Sequence, residues 1–398
     1  MSQPKKLMVI VPDYISHIIK KGEYQPLYYN PGELFDEVHI LLTNADNPDP
    51  NSLKHTVGRA KLFLYNLPED HRMHRKPWQI FDTWLLKKWA EPAVKLAEEI
   101  GPNLIRCHGA DMNCYAAHRI KQKLGIPYVV SLHINADINM TRRWLVPDPT
   151  PVQRKQNTLF EYVERTSLNT ADLVMPVYKP ILPYLERMGA PNVEVCYNVL
   201  NIEKLVKKDN YKLNRPVKVI CIGRLFEQKN PDNIIRAIAQ MDNIEFTIVG
   251  DGPIRPNLES LARELGVEGR IHFRPTVHND ELCTMLPTFD VFAVHTEFWE
   301  INKSVLEVLL TGLPIIINVR RGLPVPELMG DFVYKVDNTV ESYLSALQKL
   351  VSDDSFREQL GRKAYEHANA NWAPKVTERK FVEIYKRISG IQNSEQAK

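Results

Sequence analysis

The sequence lacks several features that would fix its class at once. No apolar run approaches the roughly 18–20 residues that a membrane-spanning helix needs. Five cysteines (Cys107, Cys114, Cys196, Cys221 and Cys283) are scattered, odd in number, and form no Cys-x-x-Cys pair. Neither a disulfide framework nor a structural zinc site is expected, and a reducing cytoplasm fits best. The 51 Lys and Arg stand against 48 Asp and Glu, a net charge of +3, which is too small to make nucleic acid the main partner. No internal repeat is visible, and low complexity is confined to the final QNSEQAK. The first apolar run, Leu7 to Val11, ends at Pro12-Asp13; it is too short for a secretory signal and reads as a buried strand.

What is present is ordinary globular material. The chain has 398 residues, 44% of them hydrophobic and 25% charged, which excludes disorder and suggests two or three domains. Short Val- and Ile-rich runs alternate with stretches of helical period. Six strands are expected at Leu7–Val11, Glu37–Thr43, Leu62–Tyr65, Leu104–Cys107, Tyr128–Leu132 and Leu173–Val177. Six more are expected at Val217–Ile222, Glu245–Val249, Ile271–Phe273, Val291–Val294, Pro314–Val319 and Phe332–Val336. Consecutive apolar positions followed by helices are the mark of buried parallel strands with crossovers. Two such series predict two doubly wound α/β domains, joined near the lysine-rich segment 198–216. Helices are expected at about Val340–Val351, Ser355–Ala368 and Pro374–Ile388.

Chemistry concentrates in two stretches. In VKVICIGRLFEQKNP a strand ends at Gly223-Arg224, Lys229 follows, and Asn230-Pro231 is expected to cap and open a helix. Ligands of doubly wound sheets sit at such strand ends, where an Arg fork and a Lys point charge suit a diphosphate. The alternative is a pair of solvated cations. In VFAVHTEFWEINKSVLEVLLTGLPIIINV a loop leads into a helix from about Asn302 to Leu310, whose free amides face the same edge. Glu307, one turn inside, could accept from the two hydroxyls of a ribose, or it could be a helix-surface charge.

Together these stretches resemble glycosyltransferase family 4, retaining enzymes of the GT-B fold. The matching text is IGRL with Lys229 downstream, IVGDGP, and SVLEVLLTGLPII, the family's Glu-x7-Glu block. The tail ANWAPKVTERKFVEIYKRI is similar to the family's closing Trp helix, and PNLIRCHGAD, LGIPYVVSLH and LNTADLVMPVYKPILPYLERMGAP extend the likeness through the first half. The resemblance implies two Rossmann-like domains facing a central cleft: residues 1–199 for the acceptor, 200–372 for the donor, and 373–398 as a helix returning to the first domain. It implies catalytic roles for Arg224, Lys229 and His133, the last ending the SLH strand where the family's His contacts the transferred sugar. Donor contacts are expected from Gly22, Gly223, Arg274, Val277, Glu300, Ile301, Asn302, Lys303, Ser304 and Glu307. His133 could instead be a structural histidine, as could His108, whose loop Asp111 could cap.

Two departures from the family pattern stand out. Trp299 occupies the place of the first Glu, with Glu300 one residue late and Glu297 two early; Glu300 is the expected substitute, and the alternative is that the sugar-contacting carboxylate has been lost. The first loop has Gly22 alone where the family usually has Gly-Gly; Gly22 could also be a plain turn residue. No Asp-x-Asp loop that could bridge Mg²⁺ to a diphosphate is evident; Asp137 and the Asp46–Asp49 segment are weak imitations. No metal is expected, and leaving-group charge falls to Arg224, Lys229 and the Asn302 helix.

From Lys54 to Lys95 nine Lys/Arg face four Asp/Glu. The segment 71–89 mixes this charge with three tryptophans, which makes it a candidate for peripheral contact with the inner membrane face. The plainer alternative is a helix with Ile80, Trp84 and Leu85 in the core. The expected activity is retaining transfer of a hexosyl or N-acetylhexosaminyl group from a nucleotide diphosphate-sugar, UDP ahead of GDP, in glycan, polysaccharide or glycolipid biosynthesis. The acceptor would be a glycan, a lipid-linked sugar or a small molecule. Rival readings are a nucleotide-sugar 2-epimerase or hydrolase of the same fold, and a catalytically silent sugar-binding scaffold.

Overall fold

The computed structural model describes residues 3–22, 24–69, 83–137, 150–298, 300–320 and 325–391. The chain divides into two compact units. The first comprises Met1–Lys20, Tyr24–Val199 and Thr377–Lys398; the second comprises Lys21–Glu23 and Leu200–Val376.

Each unit is built on one six-stranded sheet. In the first, β1 (Lys6–Val11), β2 (Glu37–Leu42), β3 (Lys61–Asn66), β4 (Leu104–His108), β5 (Tyr128–Leu132) and β6 (Leu173–Pro176) lie in the order β3-β2-β1-β4-β5-β6. In the second, β7 (Val217–Ile222), β8 (Ile244–Val249), β9 (Ile271–Arg274), β10 (Val291–Val294), β11 (Ile315–Asn318) and β12 (Tyr334–Val336) lie in the order β12-β11-β10-β7-β8-β9. Every ladder between neighbours is parallel. Read outward from the first strand, the two orders are the same doubly wound pattern, reversing between β1 and β4 and between β7 and β10. All twelve expected strands are present.

The reason lies in the burial of both faces. Along β1, Leu7, Val9 and Val11 enter one apolar cluster while Met8 and Ile10 enter another, and all five are buried. A strand covered on both sides must be apolar at every position, and that is what makes it readable. The cluster holding Leu7, Val9 and Val11 also receives Phe381, Ile384 and Tyr385 of the last helix, Pro374–Ser389. Glu194 ties that helix down by ion pairs to Lys380 and Arg387. Trp372 lies in the second unit instead, buried edge-on against Phe332 and His367.

Two local expectations need correction. Asn230 is not the N-cap; Pro231 holds that position before the helix Asp232–Ile238. The Asn230 side chain accepts from the Asp232 amide (3.1 Å) one step earlier. Trp84 is not a core residue: it is 57% exposed, with Lys88 Nζ 5.0 Å from its ring centre. Leu85 does pack, partly buried, against the core, and the helix Trp84–Ile100 buries Leu86, Trp89, Ala90, Ala93, Val94 and Ala97. That stripe follows the three-and-four spacing of one helix face. Ile80 and most of the segment 71–89, from 71 to 82, lie outside the described residues. Among the described residues no helix is long and apolar enough to cross a membrane.

Candidate active site

In the second unit the topological switch falls between β7 and β10, and the loops leaving those strands carry the expected residues. Gly223 and Arg224 follow β7 directly, and a 3-10 turn, Glu227–Lys229, brings Lys229 back toward the strand end. The β7 and β8 loops are pressed together by backbone bonds from Gly223 to Val249 (3.0 Å) and from Leu225 to Asp251 (2.9 Å). Glycine is required for that approach. A Cβ on Gly250, whose φ is +144°, would strike the Gly223 carbonyl, and one on Gly252 would strike the Leu225 carbonyl.

Lys229 is the best-defined cation of the group. Its Nζ donates to Asn302 Oδ1 at 3.1 Å, lies 4.0 Å from Glu300 Oε1, and stands over the Phe298 ring. Burial pulls its pKa below the ordinary lysine range, and the Glu300 carboxylate offsets only part of that loss. Arg224 is exposed, with its guanidinium 5.2 Å from the centre of the Phe226 ring. A desolvated ammonium and an exposed fork at one strand end are matched to a polyvalent anion.

The β10 loop supplies the other wall. His295 bridges the Asn230 carbonyl (2.9 Å) and Glu297 Oε1 (2.7 Å). Asn318 pins the loop by accepting from the Thr296 amide and donating to the Thr296 carbonyl. Glu297 is therefore engaged by a histidine, whereas Glu300 stands beside Lys229. Trp299 lies outside the described residues.

Ile301 is buried and Asn302 caps the helix Lys303–Thr311. Ser304 Oγ donates to the Ile222 carbonyl (3.4 Å), which seats the helix start beneath the end of β7. Glu307 is 1% exposed, with Lys303 Nζ 3.6 Å away one turn earlier. The surface-charge alternative for Glu307 is thereby ruled out. Lys303 also donates to Asn279 Oδ1 (3.1 Å), an association that the sequence did not suggest.

The remaining donor candidates lie around the β9 loop. Arg274 pairs with Glu281 (2.7 Å), and Val277 is partly buried just before the helix Asn279–Met285. Gly22, which falls in this unit, has φ +64° and its open side filled by the His278 ring. Its carbonyl accepts from Asn201 Nδ2 at 3.1 Å. The structure thus associates Gly223, Arg224, Lys229, Glu300, Asn302 and Ser304, and sets Arg274, Val277 and Gly22 toward the β9 side.

In the first unit a different cluster occupies the ends of β4 and β5. His108 ends β4, His133 follows β5, and the two rings stack with centres 6.0 Å apart. Beneath them Arg106, 2% exposed, donates to Ser131 Oγ (3.2 Å) and the Tyr28 carbonyl (3.2 Å). Burial first, then the Arg106 charge, depresses both imidazoles: His133 to about 4, and His108 well below its usual range. Asn198 Nδ2 lies 3.4 Å from His133 Nδ1; with the amide as donor there, the ring proton sits on Nε2, a buried atom with no hydrogen-bond partner among the described residues. A neutral N–H donor is what a sugar hydroxyl oxygen can use. Asp111 caps the helix Met112–Leu124 by position but makes no side-chain cap bond; Asn113 takes the His108 carbonyl instead (2.7 Å).

Paired Rossmann-type sheets with a cationic switch point in the second are the architecture of GT-B glycosyltransferases. Residues 34–204 match the family described as Glycosyltransferase Family 4, and residues 203–367 match that described as Glycosyl transferases group 1. The chain belongs with them: it is a glycosyltransferase of the family 4 type. It is 28% identical over 178 residues to the lipopolysaccharide core biosynthesis glycosyltransferase LpsE of Rhizobium meliloti, a match spanning 44% of this chain and about half (52%) of that one. To the alpha-D-kanosaminyltransferase of Streptomyces kanamyceticus it is 22% identical over 317 residues, covering 74% and 79% of the two chains. Among solved structures it is similar to Anabaena HepE in complex with UDP, with a TM-score of 0.71 and 15% identity over 96% of this chain and 100% of that one.

Proposed function

We propose that this glycosyltransferase takes a sugar from a nucleoside diphosphate-sugar and passes it, with retained anomeric configuration and without a metal, to an acceptor hydroxyl. UDP is the expected base carrier ahead of GDP, and the acceptor a glycan, a lipid-linked sugar or a small molecule of a polysaccharide or glycolipid pathway on the cytoplasmic side. The observation that carries this reading is Lys229: a half-buried, partly compensated ammonium at the switch point, beside an exposed Arg224 and the start of the Lys303–Thr311 helix. Such a group gains most when a second anion arrives.

In this reading the second unit holds the donor. Arg224 and Lys229 take up the charge that develops on the diphosphate as the bond from the sugar C1 to the phosphate oxygen breaks. Glu307 accepts from the ribose hydroxyls and Glu300 from a sugar hydroxyl. The acceptor oxygen attacks C1 from the leaving-group face, and its proton passes to the departing phosphate oxygen. His133 in the first unit, kept neutral by burial and Arg106, donates Nε2–H to the transferred sugar. No side chain is required to become covalently attached.

A thermal-shift series with UDP, GDP, ADP and their sugars tests the donor assignment. At a hundred times the dissociation constant the preferred nucleotide should stabilise the native state by about 2.7 kcal/mol. No shift with any of them overturns the reading. Sugar transfer should persist in excess EDTA; loss with rescue by Mg²⁺ or Mn²⁺ would overturn the metal-free part alone.

A further inference from the structure

A cavity lies in the second unit, at the carboxyl ends of β11 and β12. It encloses about 590 Å³, and Glu297, Arg320, Asp337, Asn338 and Thr339 are among the residues that line it. That volume lies within the range of small-molecule sites. Among the described residues its lining is polar except for Val319.

Arg320 is the unusual member. The residue is 6% exposed, yet its Nε and Nη2 have no hydrogen-bond partner, and it forms no ion pair among the described residues. Burying a guanidinium without a bonded carboxylate is costly. Burial accordingly draws its pKa down to about 10, with Glu300 and Glu297 offsetting only part of the loss. A second positive element meets the same cavity. Thr339 caps the 13-residue helix Val340–Ser352, its side chain accepting from the Ser342 amide (3.2 Å). The other first-turn amides of that helix have no partner within it.

The two carboxylates of the lining do not cancel this. Glu297 is engaged by His295 Nε2 at 2.7 Å. Asp337 and Asn338 are exposed at the mouth, where they suit hydroxyl groups and not a countercharge for Arg320.

We propose that this cavity is a second ligand site that takes the oxyanion of an acidic or phosphorylated sugar, with Arg320 and the Thr339 helix start as its anion anchor and Asp337 and Asn338 as partners for hydroxyls. The chemistry is that of a phosphate monoester or a carboxylate on a polyol. The cavity neighbours the Arg224 and Lys229 group, since Arg320 feels the Glu300 charge and bears on Lys229, but among the described residues none of that group lines it.

Isothermal titration of the full chain tests it, with inorganic phosphate, glucose 6-phosphate, glucuronate and glucose as probes, each with and without saturating UDP. At least one of glucose 6-phosphate and glucuronate should bind about tenfold or more tightly than glucose, and UDP should not displace it. A preference for the phosphate ester marks a sugar phosphate as the ligand; a preference for glucuronate marks a uronate. Arg320→Met should weaken that binding by about tenfold or more and leave UDP affinity unchanged, with melting unaltered or raised because a buried unpaired charge is gone. Asn338→Ala, an exposed change, should weaken the sugar-borne anion severalfold and leave inorganic phosphate alone. The proposal is overturned if no anion binds below about 10 mM, if Arg320→Met binds as the parent does, or if UDP displaces the probe. A chain that binds the probes but no nucleotide would sink the donor reading and leave this one standing.

Discussion

The two units share one topology and arm it in opposite ways. At the ends of β4 and β5 the first unit presents two buried imidazoles over a buried Arg106, and burial, aided by that cation, keeps them neutral. At the ends of β7 and β10 the second unit presents cations that are themselves short of countercharge, Lys229 foremost. Strand order alone therefore says where a ligand can sit, and the side chains at the strand ends say what kind. The first unit offers neutral hydrogen bonding suited to hydroxyls, and the second offers charge suited to a diphosphate.

The sharpest way to break this comparison is to remove the charge. Lys229→Ala and Arg224→Ala should each cut turnover by about 10²–10³, equivalent to about 2.7–4 kcal/mol of barrier, with the fold intact. Steady-state kinetics beside a circular dichroism spectrum would show it. Near-native turnover in either variant would end the distinction drawn between the units. Because the Lys229 pKa lies below the ordinary lysine range, the parent should also lose activity with rising pH before a free lysine would titrate.

The next effect belongs to the first unit and to acid. The unfolded chain protonates a histidine near 6.5, whereas native His133 does so only at about 4. Between those values the unfolded state holds more protons, so stability falls as pH drops from 6.5 to 4. A shift of that size corresponds to about 3 kcal/mol. His118, depressed to about 4 by burial and by Arg119 and Lys121, acts in the same direction. Urea titrations at pH 7 and pH 4.5 should show His133→Gln losing less stability across the interval than the parent. Equal losses would mean that His133 is not held neutral by its surroundings.

A third comparison lies within the second unit, between its two carboxylates. Glu307 is buried inside the Lys303–Thr311 helix, and Glu300 is partly exposed beside Lys229. Glu307→Ala should weaken bare UDP or GDP by about 1.5–3 kcal/mol, the range for hydrogen bonds to a charged group. Glu300→Ala should leave bare-nucleotide affinity alone while lowering turnover and the discrimination between sugars. Calorimetry with nucleotide and nucleotide-sugar on both variants decides it; a Glu300→Ala protein that turns over normally would mean that Glu300 serves only the helix start, a role worth about 0.3–1 kcal/mol.

Much of this was legible in the sequence, for identifiable reasons. Strands buried on both faces are continuous runs of Val, Ile and Leu, so β1, β7 and β11 read directly. The cations after β7 were found because a Gly-Arg pair closing such a run marks a strand end. Tertiary geometry hid the rest. The engagement of Glu297 by His295 depends on how the β10 loop folds back on Asn230, and no spacing encodes it. Arg320 follows closely on a strand end, and nothing in the spacing there says that it is buried. The phase of the Trp84–Ile100 helix was misjudged for a different reason. Local hydrophobicity favoured Trp84, whereas the full run from Leu86 through Ala97 fixes the buried stripe one step away.

That misjudgement leads to the smallest expected effect. Trp84 is exposed and makes its recorded ring contact with Lys88, while Trp89 in the same helix is buried and donates its indole N–H to the Pro68 carbonyl at 3.1 Å. Two tryptophans five residues apart should therefore behave differently. Trp84→Ala should change unfolding free energy by no more than about 0.5 kcal/mol, the usual range for a surface position. Trp89→Ala should cost about 3–5 kcal/mol, as large aromatic deletions in cores do. If the basic stretch around Trp84 lies on a membrane surface, the exposed ring is the one that inserts. Co-sedimentation with vesicles containing anionic lipid should then fall in Trp84→Ala, and high salt should weaken binding of the parent. Unchanged partitioning in Trp84→Ala would make the exposed tryptophan a plain surface residue and remove the membrane role from this face of the helix.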